Sequence, residues 1–319
     1  MSHSKTNIKI PPPAHPKERH EPLPSQRPKS TEEDPDAMLR IEAIMASPSY
    51  RQADHDVEFL NRDDTRGLRL QLDYLKPEFF LKQNGVSQTI VVFGSTRISE
   101  PSAARHKIDT LRQSLAKDPG DILFKNRLKV AERILAKSCH YDIAREFSRL
   151  VAGHRHNSGN SRIVVVTGGG PGIMEAANRG AYDIGAKSAG LNINLPHEQY
   201  PNPYITPDLC FSFHYFALRK LHFLLRARAL VAFPGGYGTF DELFETLTLV
   251  QTRTIRPLPV ILVGEEYWRQ AFNSDFLVDE GVIDPEDREL FWYAETAQEI
   301  WDGILRWYEA SGEPLFQAE

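Results

Sequence analysis

The chain is poor in cysteine: Cys139 and Cys210 are the only two in 319 residues, and they lie far apart. That excludes a disulfide framework and any CxxC redox or zinc pair, and predicts a reducing, cytoplasmic setting. No apolar run is long enough to cross a bilayer and no signal-peptide core is visible, so the expectation is a protein without a membrane partner. Positive charge is not in excess either. The formal net charge is −5, against the basic field that general nucleic-acid binding requires. A single phosphate remains within reach of a few backbone N–H groups and one arginine. With 41% hydrophobic and 25% charged residues, the remainder is ordinary soluble-protein material.

Residues 1–36 differ in composition from the rest of the chain. Pro11, Pro12, Pro13, Pro16, Pro22, Pro24, Pro28 and Pro35 sit among polar and charged residues, a composition that predicts a disordered tail. The acids Glu32, Glu33, Asp34 and Asp36 speak against a transit peptide. Residues 37–85 read as a helical collar. Leu68, Leu72, Leu75 and Phe79 share one helical face, interrupted by Pro77. That face predicts packing on the main domain, with an interaction arm for another subunit as the alternative.

The main domain, 86–319, opens on Thr89 to Phe93. A helical stretch from about Ser102 to Ala152 comes next, broken at Pro119-Gly120. Further apolar runs are Ile163–Val166, Ala189–Leu195, Ala229–Phe233 and Leu258–Val263, with helical segments from about 172 to 184 and from Phe216 to about Arg226. Short buried strands alternating with helices predict an α/β, Rossmann-like doubly wound parallel sheet, with its site at the carboxyl ends of the strands.

Three strand ends carry small residues: Gly94-Ser95-Thr96, Gly168-Gly169-Gly170-Pro171-Gly172 and Pro234-Gly235-Gly236-Tyr237-Gly238-Thr239. Glycine lets a backbone approach an anion, and the helix beyond it offers free N–H groups and a positive dipole end. One such loop serves equally well as a tight turn. Three on one sheet predict a phosphate pocket, with Thr239 as a hydroxyl donor. The spacing is not that of a dinucleotide fingerprint, the strand Leu191–Leu195 supplies no ribose-binding acid, and no GK[ST] follows any loop, so NAD and ATP motifs are both absent. A mononucleotide or sugar phosphate remains.

Two charges flank the last loop. Arg219 lies on the apolar helix beginning at Phe216, and Glu242 is expected in the first turn of the helix after Thr239. Glu242 reads either as a capping acid or as a carboxylate that stabilises positive charge on a ribose and handles water. Arg219 reads either as a surface arginine or as a fixed, forked donor to a nucleotide.

Pro234-Gly235-Gly236-Tyr237-Gly238-Thr239-Phe240-Asp241-Glu242 resembles the PGGxGTxxE signature of the LOG (Lonely Guy) family of cytokinin riboside 5′-monophosphate phosphoribohydrolases, proteins often labelled lysine decarboxylases. Arg219-Lys220 matches the family's RK pair. Gly168 to Met174 resembles its GGGxxGLM block, one residue shorter and with Ile173 in the Leu position, and Gly94-Ser95-Thr96 resembles its GSS-like block. The resemblance covers about residues 89–263. It implies that Arg219 and Glu242 are the catalytic pair, and that Gly94, Ser95, Gly168, Gly169, Gly170, Gly235, Gly236, Gly238 and Thr239 bind phosphate. It further implies that Lys220 and Glu198 touch the nucleotide, that no metal or organic cofactor is needed, and that the protein is a homodimer or larger homo-oligomer.

The departures are the collar and the 102–152 insertion, which compact plant members lack. Together with Leu195-Pro196-His197-Glu198-Gln199 they resemble longer bacterial members, including nucleotide 5′-monophosphate nucleosidases. AMP or a broader set of monophosphates therefore stands beside cytokinin nucleotides as expected substrate. The alternative is a carrier of a phosphorylated ligand, or a nucleotide-binding regulator, built on the same loops. Other candidates read as packing: His214 and His222 share an apolar helix face without a nearby acid, and Phe211, Phe213, Tyr215 and Phe216 serve a core or stack on a base. The sequence around Lys220 does not suggest a pyridoxal Schiff base.

Overall fold

The computed structural model describes residues 10–154, 163–194 and 200–316. They divide into two units, Met1–Arg66 and Gly67–Glu319. In the first, residues 10–36 carry one short 3₁₀ turn, Pro24–Gln26, and are exposed almost throughout. Two helices come after it, α1 (Ala37–Ala46) and α2 (Val57–Leu60). Asp56 caps α2 by accepting from the Phe59 amide at 3.1 Å, which satisfies one of the orphan donors of the first turn.

The second unit contains α3 (Arg66–Gln83), β1 (Gln88–Phe93), α4 (Pro101–Lys117), α5 (Ile122–Lys137), α6 (Cys139–Gly153), β2 (Ile163–Thr167), α7 (Ile173–Asp183), β3 (Ser188–Ile193), β4 (Cys210–Phe213), α8 (Phe216–Leu225), β5 (Ala227–Ala232), α9 (Tyr237–Gln251), β6 (Val260–Val263), α10 (Glu265–Ala271), α11 (Ser274–Asp279), β7 (Trp292–Ala294) and α12 (Ala297–Ser311). All seven strands are parallel, in the order β4-β3-β2-β1-β5-β6-β7. The α/β, Rossmann-like expectation holds. The strands read from the sequence are present, while β4 and β7, the two edges, were not anticipated. They are short, and β7 has no β-branched residue to mark it.

Alternation along the strands sorts the core into two layers. Ile90, Val92, Val165, Val231 and Ile261 turn to the layer built by α6, α7 and α12, where Phe147, Ile173 and Trp301 pack. Val91, Phe93, Val166, Leu230 and Leu262 turn to the opposite layer, where Phe223, Leu243 and Trp268 pack. Fully burying each such side chain contributes roughly 1.5–3 kcal/mol. With both faces covered, β1 and β5 become the centre of the sheet. The chain runs outward from β1 to β4 and returns to β5 beside β1, so the crevice at their carboxyl ends is the topological switch point.

The 102–152 insertion is helical as expected, but in three pieces. Its first break falls at Pro119-Gly120, after which the Asp121 carboxylate caps α5 through the amides of Leu123 (2.7 Å) and Phe124 (3.0 Å). A second break comes at Ser138, whose hydroxyl donates to the Leu135 carbonyl at 2.7 Å.

The expected inward face of α3 is turned the other way. Leu68, Leu72, Leu75 and Phe79 are all exposed, at 47–63%. The helix attaches by polar contacts instead. Asp73 accepts from the His214 and Tyr215 amides (3.0 and 2.9 Å), Arg69 donates to the Tyr215 hydroxyl (3.2 Å), and Glu78 takes a bidentate pair from Arg226 (2.5 and 2.7 Å). His222, on α8, is buried between Tyr74 and Phe213, with Nδ1 3.4 Å from Glu78.

The hydrogen bond and charge of Arg226, helped by His222, hold the Glu78 carboxyl below its ordinary range despite the opposing effect of burial. A lowered carboxylate pKa stabilises the fold above the ordinary pKa and is lost as pH falls through the folded value. Glu78→Gln should therefore cost about 1–3 kcal/mol in urea unfolding at pH 7, with the difference from wild type shrinking as the titration is repeated at increasingly acid pH.

Candidate functional site

A cleft of about 570 Å³ opens at the switch point, within the ordinary range for a small-molecule site. Its walls come from the loops after β1 and β5, from the start of α9, from Arg219 on α8, and from Ile134 and Lys137 at the end of α5.

The backbone of Ser95 joins the three glycine loops. Its N–H donates to the Pro234 carbonyl at 3.0 Å, and its carbonyl accepts from the Ile173 amide at 3.1 Å. Gly94, Ser95, Gly235, Gly236, Gly238 and Thr239 all line the cleft. The second glycine block stands behind it. Gly168 lies against the Arg219 side chain, where a Cβ would come within 2.7 Å of Nη2. Gly169 donates to the Thr167 hydroxyl (3.0 Å) and accepts from the Asn202 amide, while the Gly170 carbonyl takes the Asn202 side chain (3.0 Å).

Helix α9 begins at Tyr237, three residues before the expected start. The amides of Gly236, Tyr237 and Gly238 have no acceptor among the described residues, so they are the orphan donors of the helix N-terminus, at its positive dipole end. The Gly235 position is fixed from two sides. A Cβ there would fall 2.1 Å from the Thr239 hydroxyl oxygen, and the Tyr267 hydroxyl donates to the Gly235 carbonyl.

The early start moves Glu242 past the first turn of α9, which removes the capping role expected as one alternative. Its side chain is only 8% exposed and faces Arg219, with Oε1 3.9 Å from Nη1. That separation is an ion pair without a hydrogen bond. Burial pushes the Glu242 carboxyl up to about 7, outweighing the lowering by the Arg219 and Lys220 charges. Arg219 is lowered by burial, against the raising effect of Glu242 and Asp241. Its Nε donates to the Leu191 carbonyl at 2.7 Å, and its guanidinium lies 5.1 Å over the Phe223 ring. One edge of the fork is thereby fixed to β3 while the other faces the cleft.

Lys220 is placed differently. Its ammonium is held by Asp241 (2.8 Å) and Glu245 (3.0 Å), and it does not line the cleft. Burial alone would lower it, but these hydrogen bonds and charges raise its pKa above the usual value. Glu198 lies outside the described residues. Of the aromatic candidates, Phe211 and Phe213 are core residues, whereas Phe216 is 53% exposed and lines the cleft.

Sequence reasoning missed three polar lining residues, Tyr267, Arg97 and Lys137. Arg97 directly follows the first small-residue block, a signal that was available. Lys137 sits at the end of a helix whose position over the cleft no local pattern announces. Among the described residues no group of three or more His, Cys, Asp or Glu side chains is arranged to hold a metal, and no helix is long and apolar enough to cross a membrane.

Comparison with known proteins adds a family. A family model described as "Possible lysine decarboxylase" matches residues 174–304. A probable cytokinin riboside 5′-monophosphate phosphoribohydrolase of Oryza sativa subsp. japonica is 30% identical over 44% of this chain and 67% of its own length. A cytokinin riboside 5′-monophosphate phosphoribohydrolase of Arabidopsis thaliana is 31% identical over 43% of this chain and 64% of its own. The chain thus spans about two thirds of the length of these relatives. The matched region holds Arg219, the PGGxGT loop and Glu242 together, and the chain belongs to the LOG family.

Proposed function

We propose that the protein is an N-glycosidic hydrolase that splits a nucleoside 5′-monophosphate into free base and ribose 5-phosphate. The observation that carries this reading is a buried carboxyl, Glu242, titrating near neutrality and facing a fixed guanidinium across a cleft rimmed by unpaired amides. The relatives' names, cytokinin riboside 5′-monophosphate phosphoribohydrolases, support the reaction class.

The 5′-phosphate is received by the amides of Gly236, Tyr237 and Gly238 and the hydroxyl of Thr239, where the α9 dipole favours an anion. Arg219 orients the nucleotide through the edge of its fork not occupied by Leu191. As the C1′–N bond breaks, its electron pair leaves with the base and positive charge builds on the ribose. The Glu242 carboxylate opposes that charge in a site where burial strengthens the attraction. The oxygen of a water bonds to C1′ and its proton passes to Glu242, and the base takes up a proton. A pKa near 7 suits a group that must accept and then release a proton at neutral pH.

Adenine and N⁶-substituted adenine nucleotides are the proposed substrates, and the cytoplasm is the proposed setting. A carrier of a phosphorylated ligand needs the amides but has no use for a buried carboxyl at neutral pKa. The Lys220 ammonium, bound by two carboxylates, is likewise unsuited to a decarboxylase Schiff base.

The exposed α3 stripe, with Leu221 and Leu225 also exposed on α8, supports a homo-oligomer as a further part of the proposal. Such a patch is characteristic of an interface.

Three measurements test this reading. Incubation with AMP or isopentenyladenosine monophosphate should release free base, resolved by chromatography, and Glu242→Ala should slow that release about 10²–10⁴-fold while still binding AMP. Base release from Glu242→Ala at the wild-type rate would overturn the hydrolase assignment. Because the carboxylate form must accept the proton, kcat/KM for wild type should fall as pH drops below about 7 and level off above it. Light scattering after size exclusion should show an oligomer for wild type and a smaller species for the Leu72→Glu/Phe79→Glu variant.

A further inference from the structure

The α4–α5 hairpin carries nine Lys and Arg against four Asp and Glu over residues 101–137, in a chain whose net charge is −5. Part of that excess faces a second cavity of about 790 Å³, built between the hairpin and the loop after β1. Leu111, Val130 and Ala131 form its apolar wall, and Arg97, Lys107 and Arg127 supply its charge. No carboxylate among the described residues lines it. Among the described residues, none of these three cations lies within ion-pair distance of an acid, whereas Arg112 on the same hairpin is paired with Glu132 at 3.1 Å. Arg127 lies over the face of Phe124, 5.9 Å from the ring centre.

This cavity adjoins the cleft, and Thr96, Arg97 and Ile134 line both. Lys137, on the cleft side, has no carboxylate partner among the described residues either, and its charge adds to burial in lowering His140. A track of uncompensated positive charge thus leads away from the phosphate-binding amides, through Arg97, to Lys107 and Arg127. Like charges gathered without counter-ions are unfavourable to the free protein and are relieved by an anion bridging them.

We infer that this track receives the phosphate groups beyond the first of a nucleoside polyphosphate, whose α-phosphate occupies the glycine loops. The inference rests on those loops holding the 5′-phosphate as proposed above. A volume in the small-molecule range and lining residues shared with the cleft favour a nucleotide over a nucleic acid or a membrane surface.

The test is calorimetric titration of the full chain with AMP and with ADP, in competition and separately. Wild type should bind ADP about tenfold more tightly than AMP, the order expected from charge-assisted contacts to one added phosphate, and ADP should displace AMP at one nucleotide per chain. Lys107→Ala/Arg127→Ala should bind both nucleotides equally while releasing base from AMP at the wild-type rate. Lys125→Ala/Lys129→Ala removes the same charge outside the cavity and should keep the ADP advantage. Equal affinities in wild type, an advantage that survives in Lys107→Ala/Arg127→Ala, one lost equally in Lys125→Ala/Lys129→Ala, or ADP binding alongside AMP would each overturn the inference. Failure of base release with the ADP advantage intact would sink the hydrolase reading and leave the cationic track standing.

Discussion

A carboxyl and a guanidinium withdrawn from water and held apart without a hydrogen bond are the costly element of this structure. Taking either charge out of solvent is unfavourable by several kcal/mol, and the 3.9 Å gap between Glu242 and Arg219 returns only part of that. The surrounding architecture keeps the two from closing on each other. Leu191 holds Nε of the arginine from β3, Phe223 supports its face, and Gly168 leaves the space its Nη2 occupies. On the other side, α9 fixes Glu242 and buries it. A neutral-range pKa is the visible sign of this frustration, and a ligand whose charge complements both groups resolves it.

Much of this was legible in the sequence, for identifiable reasons. The strands that end in glycine announce themselves because a β-branched run followed by small residues has few other uses. Arg219 and Glu242 were legible because the loop between them is a motif. Other parts had no local signature. The sequence marks Glu242 as a helix acid, but only the position at which α9 starts decides whether it caps the helix or faces the cleft. The period of Leu68, Leu72, Leu75 and Phe79 defines a face without saying which way it turns, and the polar attachments through Asp73 and Glu78 settled that. Edge strands such as β7, and contributions from an insertion such as Lys137, depend on tertiary placement that no periodicity encodes.

The insertion adds a wall rather than a new core. Its helices α4 and α5 bury few side chains, chiefly Ala104, Ile108 and Ala131, whereas α6 joins the central layer through Tyr141, Ala144, Phe147 and Val151. Of the first two, α5 reaches the cleft through Ile134 and Lys137, and the third helix belongs to the scaffold. Net positive charge accordingly falls on the former, and most of the buried apolar side chains on the latter.

The peptide of Ser95 bonds both the loop after β5 and the start of α7, segments far from it and from each other in sequence. A contact of this kind forms only after long stretches of chain have closed, at the entropic cost such closures carry. The pocket thus depends on long chain closures and on the central strands staying together. A nucleotide that recognises only the finished loops acts as a latch on the native state, and its concentration enters the protein's resistance to unfolding as directly as any side chain does.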